Sequence, residues 1–159
     1  MPVQKISPFL WFDNQAEEAV AFYLSIFKGA KPGPVMRCGD AGPGPKGSVL
    51  CASFELDGTQ IIAMNGGPHF KFTEAISLLI HCGSQEEVDY YWEKLGDGGQ
   101  YNDCGWLKDK YGLSWQVTPD RLLELNMDPD PAKAGRVMQA MMKMRKIDIA
   151  TLEKAAAAG

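Results

Sequence analysis

The sequence predicts an α+β fold built from two βαβββ modules with mixed or antiparallel sheets and an added helical tail. Three observations predict it. A strand-then-helix pattern occurs twice, about 70 residues apart: Ile6-Ser7, Asp13 to Glu18 and Phe22-Tyr23 in the first copy, then Ile76-Ser77, Gly83 to Glu87 and Tyr91-Trp92 in the second. Repetition at this scale marks one supersecondary unit used twice. Apolar-rich runs of strand length follow each helix, and the first two are joined by Asp57-Gly58. Past residue 122 the pattern turns helical and rich in methionine.

Each element has a local reason. Residues 6–12 alternate, with Ile6, Pro8, Leu10 and Phe12 on one side and Phe9 and Trp11 on the other, which is the period of a strand. Asn14, with Glu17 three residues on, reads as a capping box. Ala19, Phe22, Tyr23, Ile26 and Phe27 then form the apolar stripe of a helix that Gly29 ends as a left-handed cap. Residues 30–47 are rich in Gly and Pro and read as a long loop, with a short strand at Val35 to Cys38. Val49 to Leu56 and Thr59 to Asn65 flank Asp57-Gly58, the strongest hairpin signal in the chain. The second copy repeats the order: a strand at Ile76 to Cys82, a capping box at Ser84 and Glu87, a stripe of Val88, Tyr91, Trp92 and Leu95, and a stop at Gly96. A glycine-bearing loop over 96–105, a short strand at Trp106-Leu107 and a strand from Leu113 to Thr118 follow. Asp130-Pro131 starts a helix over 131–145, with proline at its first position, and Asp148 caps a last short one. The segments are thus 1–73, 74–122 and a tail over 123–159, together one structural domain.

Composition narrows the partners. The 159 residues are 45% hydrophobic and 23% charged, with a net charge of −4. An acidic balance argues against nucleic acid or an anionic membrane, which both demand a basic surface. Without an apolar run of 18 residues or a basic-then-apolar leader, the expected location is the cytoplasm. Cys38, Cys51, Cys82 and Cys104 show no CxxC pairing and are expected to be reduced.

Candidate site residues come from chemistry and position. His69 and His81 are the only histidines. They are the candidate acid–base groups because imidazole titrates near neutrality, although a structural hydrogen bond is the plainer role for each. Trp11, Phe12, Trp106 and Trp115 lie on or beside strands. Core packing is the default for them, and any that face a cavity suit a planar or apolar ligand. Ser53 and Glu55 alternate with Leu50, Ala52, Phe54 and Leu56, so they line a cavity if that face turns inward and meet solvent if it does not. Asn65, His69 and Phe70 sit at a strand end and in the loop after it, where function concentrates. Val137, Met138, Met141, Met142 and Met144 read as packing. Lys133, Arg136, Lys143, Arg145 and Lys146 read as a solvated face. No phosphate-binding loop, no GxSxG and no glycine fingerprint after a strand is present. With the β-rich pattern, this argues against a Rossmann-type methyltransferase.

Four stretches carry a resemblance: PFLWFDNQAEEAVAFY, ELDGTQIIAMNGGPHF, CGWLKDKYGLSWQVTP and DPDPAKAGRVMQAMMKMRKIDIATLE. They resemble the PhnB-like branch of the vicinal oxygen chelate superfamily, which includes glyoxalase I, bleomycin-resistance proteins and extradiol dioxygenases. That branch is often labelled 3-demethylubiquinone-9 3-methyltransferase. The resemblance implies curved sheets around a cavity, a homodimer and, in many members, a divalent metal held by His and carboxylate groups on inward-facing strands. Carried onto this chain, those ligand positions fall at Ser7 or Pro8, at Met64 or Asn65, at Ala75 or Ile76, and at Gln116. These are poor donors for such a metal, so neither metal nor cofactor is expected in the usual position. Two functions of different class follow. The first is a protein that binds a small aromatic or apolar molecule, with Trp11, Ser53, Glu55, Asn65, His69, Phe70, Trp106, Trp115 and Gln116 as candidate lining. The alternative is a lyase, isomerase or dioxygenase-like enzyme that uses His69 or His81, with a divalent metal possible. Quinone methyl transfer comes third.

Overall fold

The computed structural model describes residues 4–159. The chain divides into two compact units, residues 1–72 and 73–159. The first contains β1 (Phe9–Phe12), α1 (Ala16–Ile26), β2 (Lys31–Arg37), β3 (Val49–Leu56) and β4 (Thr59–Asn65). The second contains β5 (Ser77–Cys82), α2 (Gln85–Gly96), β6 (Gln100–Tyr101), β7 (Trp106–Lys108) and β8 (Ser114–Pro119), followed by α3 (Asp120–Asn126), α4 (Pro131–Met141) and α5 (Ile149–Ala157). The two four-stranded sheets run in the orders β1-β4-β3-β2 and β5-β8-β7-β6. In each, the first strand pairs in parallel with the last and the other pairings are antiparallel. The repeated pattern is therefore a repeated topology, and the α+β class with two βαβββ modules is what the molecule has.

One face of the first sheet carries its core. Leu10, Phe12, Ala52, Phe54, Leu56, Ile61 and Ala63 are buried, as are Ala16, Ala19, Val20, Tyr23 and Ile26 of α1. The Tyr23 and Phe54 rings stack with centroids 5.9 Å apart. Burying a side chain of this size contributes about 1.5–3 kcal/mol. The hairpin between β3 and β4 turns at Asp57 (φ 46°) and Gly58 (φ 81°), and two successive positive φ values are the demand of a type I′ turn.

Three local expectations are corrected. Asn14 and Glu17 form no capping box: the cap position of α1 is Gln15 and makes no side-chain bond. Instead Asn65 Oδ1 accepts from the Ala16 N–H at 2.8 Å, so a residue distant in sequence satisfies that helix end. The Gly/Pro-rich stretch contains a seven-residue strand, β2, rather than a short one. Among the described residues it pairs only with β3, and it carries register shifts at Pro32/Val35 and Met36/Arg37. Proline is tolerated on such an edge because one side of the strand needs no donors. Residues 120–126, with no helix assigned from sequence, form α3.

Ser84, Asp130 and Asp148 stand at the N-cap positions that their sequences suggest. Ser84 Oγ accepts from Glu87 N–H, Asp130 from Ala132 N–H and Asp148 from Thr151 N–H. In the tail, Leu122, Leu125, Val137, Ile147, Leu152 and Ala156 form one buried cluster, with Met141 and Met144 packed on it. Arg136 donates to the carbonyls of Ala155 and Ala156; it closes the C-terminal end of α5 rather than facing solvent. Gln85 of α2 donates to Ile147 O and accepts from Ile149 N–H, which ties α5 to the second module. Among the described residues, no helix is long and apolar enough to cross a membrane.

Candidate functional site

The face of the first sheet opposite α1 is the candidate site. Strand pairing sets its rows: Trp11, Met64, Cys51 and Met36 lie side by side across four strands; Phe9, Ile62 and Ser53 form the next row; Gln60, Glu55 and Lys31 form the third. The side chains therefore grade from aromatic and sulfur-bearing at one end to polar at the other. A pocket of about 410 Å³ opens at the polar end, bordered by Gln4, Lys31, Gly33, Ser53, Glu55 and Gln60. Gln4 is held there by paired bonds with the Gln60 backbone, donating to its carbonyl at 3.1 Å and accepting from its N–H at 2.9 Å.

Trp11 is fixed at the other end by the loop after β4. Its indole Nε1–H donates to Gly67 O at 2.9 Å. Phe70 meets it edge-on, with centroids 4.9 Å apart, and is 66% exposed. The loop itself is anchored by Gly66 and Gly67 N–H groups donating to Phe12 O and Asp13 O.

The structure sorts the predicted residues. Trp11, Ser53 and Glu55 share the open face, with Phe70 against Trp11. Asn65 is fully engaged in structure, since its Nδ2 also donates to Val49 O at 3.0 Å. His69 is exposed beside Gly67.

In the second unit, pairing aligns Leu79, Gln116 and Trp106, and Ser77, Ser114 and Lys108. Gln116 Nε2 donates to Ser77 Oγ at 2.9 Å, and Lys108 pairs with Glu74. Trp115 points to the opposite face; it is 2% exposed and donates its indole N–H to Asp109 Oδ2 at 2.9 Å, which makes it a core residue. His81 Nδ1 lies 3.3 Å from Asp120 Oδ1, with both side chains more than half exposed. A solvated pair of this kind contributes little to stability.

Met36, Cys51 and Gln60 share the first open face without any role expected from the sequence, and Met64 beside them stands there only as one of two residues where the resemblance implies a metal ligand. The available signal was parity: Cys51 alternates in step with Ser53 and Glu55, as Met64 and Gln60 do with Ile62.

The open mixed sheets, with one helix on a face, are not the doubly wound parallel sheet of a Rossmann enzyme. Residues 4–118 match the profile of the family described as 3-demethylubiquinone-9 3-methyltransferase. The chain belongs to this family. A solved structure from Bacillus cereus, a putative 3-demethylubiquinone-9 3-methyltransferase described as a PhnB protein, is 38% identical, covers 73% of this chain and 99% of its own, and superposes with a TM-score of 0.67. A protein from Pseudomonas aeruginosa is 20% identical over 71% of this chain and 95% of its own, with a TM-score of 0.60. A mutant of the fosfomycin resistance protein FosX from Listeria monocytogenes, complexed with Mn(II) and 1S,2S-dihydroxypropylphosphonic acid, is 20% identical over 72% of this chain and 90% of its own, with a TM-score of 0.53. The last two likenesses concern the fold. No functionally curated protein is similar enough to the chain to match. Family and fold thus agree with the PhnB-like resemblance of the sequence.

The residues at the positions where the resemblance implies metal ligands do not fit a hard or borderline divalent ion. Ser7 accepts from Gln4 and Pro8 offers no side-chain donor; Asn65 is spent on backbone groups and Met64 offers only a soft thioether; Ala75 and Ile76 are aliphatic, and Gln116 offers a neutral amide already bonded to Ser77. Among the described residues, no group of three or more His, Cys, Asp or Glu side chains comes together as a metal set.

Proposed function

We propose that this protein binds a small amphiphilic molecule with an aromatic or apolar body on the open face of the first sheet. The observation that carries the reading is the gradient across that face. Trp11, edge-on to an exposed Phe70, offers apolar surface at one end, and Ser53, Glu55 and Gln60 border a pocket at the other. A mostly apolar surface with a few convergent polar groups is the usual make-up of a small-molecule site. Glu55 favours a ligand whose polar end donates hydrogen bonds or carries positive charge, a preference that Lys31, opposite it in the register and bordering the same pocket, moderates. The sequestering role of bleomycin-resistance-like proteins suits a face that offers an aromatic grip at one end and a polar pocket at the other.

Tryptophan emission of the purified protein, titrated with a panel of cationic aromatic drugs and quinones, tests this. Saturable binding is expected, weakened by Trp11→Ala for every aromatic ligand and by Glu55→Gln for the cationic ones alone. A panel with no saturable member, or a Glu55→Gln variant that weakens neutral and cationic ligands alike, would sink the reading. The FosX likeness, with Mn(II), supports a metal-dependent enzyme less well, because the donors at the corresponding positions do not fit; stoichiometric manganese, zinc or nickel in the purified protein would revive it. Methyl transfer rests on the family description, and S-adenosylmethionine binding is its test. The homodimer implied by the superfamily is likewise a proposal, which a monomeric mass in light scattering at micromolar concentration would refute.

A further inference from the structure

The apolar end of the same face holds a second kind of donor set. Cys51 on β3 stands between Met64 on β4 and Met36 on β2, each directly opposite it in the register. Directly opposed residues on one face keep their β-carbons about 4.5–5.5 Å apart. Flexible thioether arms can therefore converge on the central thiol. Cys51 and Met64 are half-buried and Met36 is 59% exposed, so the row is open from the β2 edge. Trp11 closes its other end, opposite Met64.

We propose that Cys51, Met36 and Met64 form a binding site for a soft monovalent metal ion of the Cu(I) type. One thiolate and two thioethers make a purely sulfur donor set, which selects Cu(I) over the hard and borderline divalent ions that prefer carboxylate and imidazole. One thiolate neutralises one monovalent charge, so the complex places no net charge on an apolar face. Burial, with the neighbouring Cys38 thiol, raises the Cys51 pKa. An ordinary free thiol is protonated at neutral pH, and the metal forms its sulfur bond as the thiol proton leaves to solvent. Cys38 is itself buried, with its Sγ enclosed by the turn at Gly42 and Gly44. No redox change is involved.

The test is anaerobic titration of the reduced full-length protein with Cu(I), in competition with the chromophoric chelator bicinchoninate. One Cu(I) per chain and one proton released per Cu(I) are expected. Cys51→Ser should abolish competition, while Met36→Leu and Met64→Leu should each weaken binding on the order of tenfold or more, as even outer-sphere changes do at metal sites. Cys82→Ser and Cys104→Ser should leave the affinity unchanged. Failure of the wild type to compete, undiminished binding by Cys51→Ser, or an unchanged affinity in the Met36→Leu/Met64→Leu double variant would overturn the proposal. The leucine variants conserve volume, and circular dichroism verifies that each variant folds. Glu55 and Ser53 are untouched by all of them, so failure here leaves the organic-ligand reading standing or falling on its own titration.

Discussion

A β-carbon on Gly66 would lie 2.3 Å from Cε2 of Trp11. The indole is seated flat on bare backbone, and its N–H reaches the next carbonyl, that of Gly67. The position of the main aromatic group on the open face thus depends on the absence of a side chain 55 residues away in sequence. Gly66→Ala must displace the ring or the loop. Overpacking of this kind costs about 1–3 kcal/mol. The variant is expected to show a lower urea midpoint, a red-shifted tryptophan emission and weaker aromatic-ligand binding. An unchanged emission maximum would show that the ring does not depend on this contact.

Asp109 organises the turn before β8. Its carboxylate is 2% exposed and accepts from Tyr111 N–H, Leu113 N–H and Trp115 Nε1–H. Asp109→Ala leaves three donors without this acceptor. Each buried unsatisfied group costs about 1–3 kcal/mol, so a loss of about 3 kcal/mol or more is expected in urea unfolding. Asp109→Asn should lose less, because its amide oxygen still accepts. Equal losses in the two variants would mean that the charge, rather than the acceptor geometry, matters.

Four carboxylates of the second unit sit below the usual carboxylate range. A hydrogen bond from Lys108 holds Glu74 down, the Arg121 guanidinium Glu153, the Asp130 backbone N–H and then Lys133 Asp128, and Gln85 and then Lys146 Asp89. A depressed folded-state pKa adds stability above the unfolded value, near pH 4, and that stability is lost as pH falls through the folded value. The urea midpoint should hold from pH 7 to about 5 and decline below 4. High salt should flatten the decline, since Glu74, Glu153 and Asp89 are about half exposed and so screened. A midpoint that rises on acidification would contradict the assignment.

Cys82 is the thiol least open to chemistry. Burial, followed by the charges of Glu87 and Asp120, pushes its pKa up to about 12. The thiolate is the reactive form, so iodoacetamide at pH 8 should leave Cys82 unmodified in the native protein and alkylate it only after unfolding. Mass mapping of native alkylation that finds Cys82 labelled early would overturn this.

Much of the fold was legible because its signals are local. The Asp57-Gly58 turn, the Ser84, Asp130 and Asp148 caps and the alternation of Leu10 and Phe12 against Trp11 each need only a few neighbouring residues. What escaped was set by distant partners. Asn14 and Glu17 have the spelling of a capping box, yet Asn65, at the end of the neighbouring strand β4 and distant in sequence, occupies that helix end. β2 was largely hidden by its prolines because only its pairing with β3 makes it a strand. Trp11 and Trp115 look alike in sequence, both aromatic on strands. Their fates separated because Asp109 supplies a buried acceptor for one indole and the Gly66-Gly67 backbone supplies a seat on the open face for the other.

Residue order and type carry the duplicated βαβββ plan, the family and the scarcity of donors where the resemblance implies metal ligands. Which polar and sulfur-bearing side chains share a face is a property of the folded sheet. Side-chain alternation has a period of two within each strand, but pairing across strands sets which rows meet. That pairing brought Met36, Cys51 and Met64 beside Trp11, and Ser53 and Glu55 to a pocket.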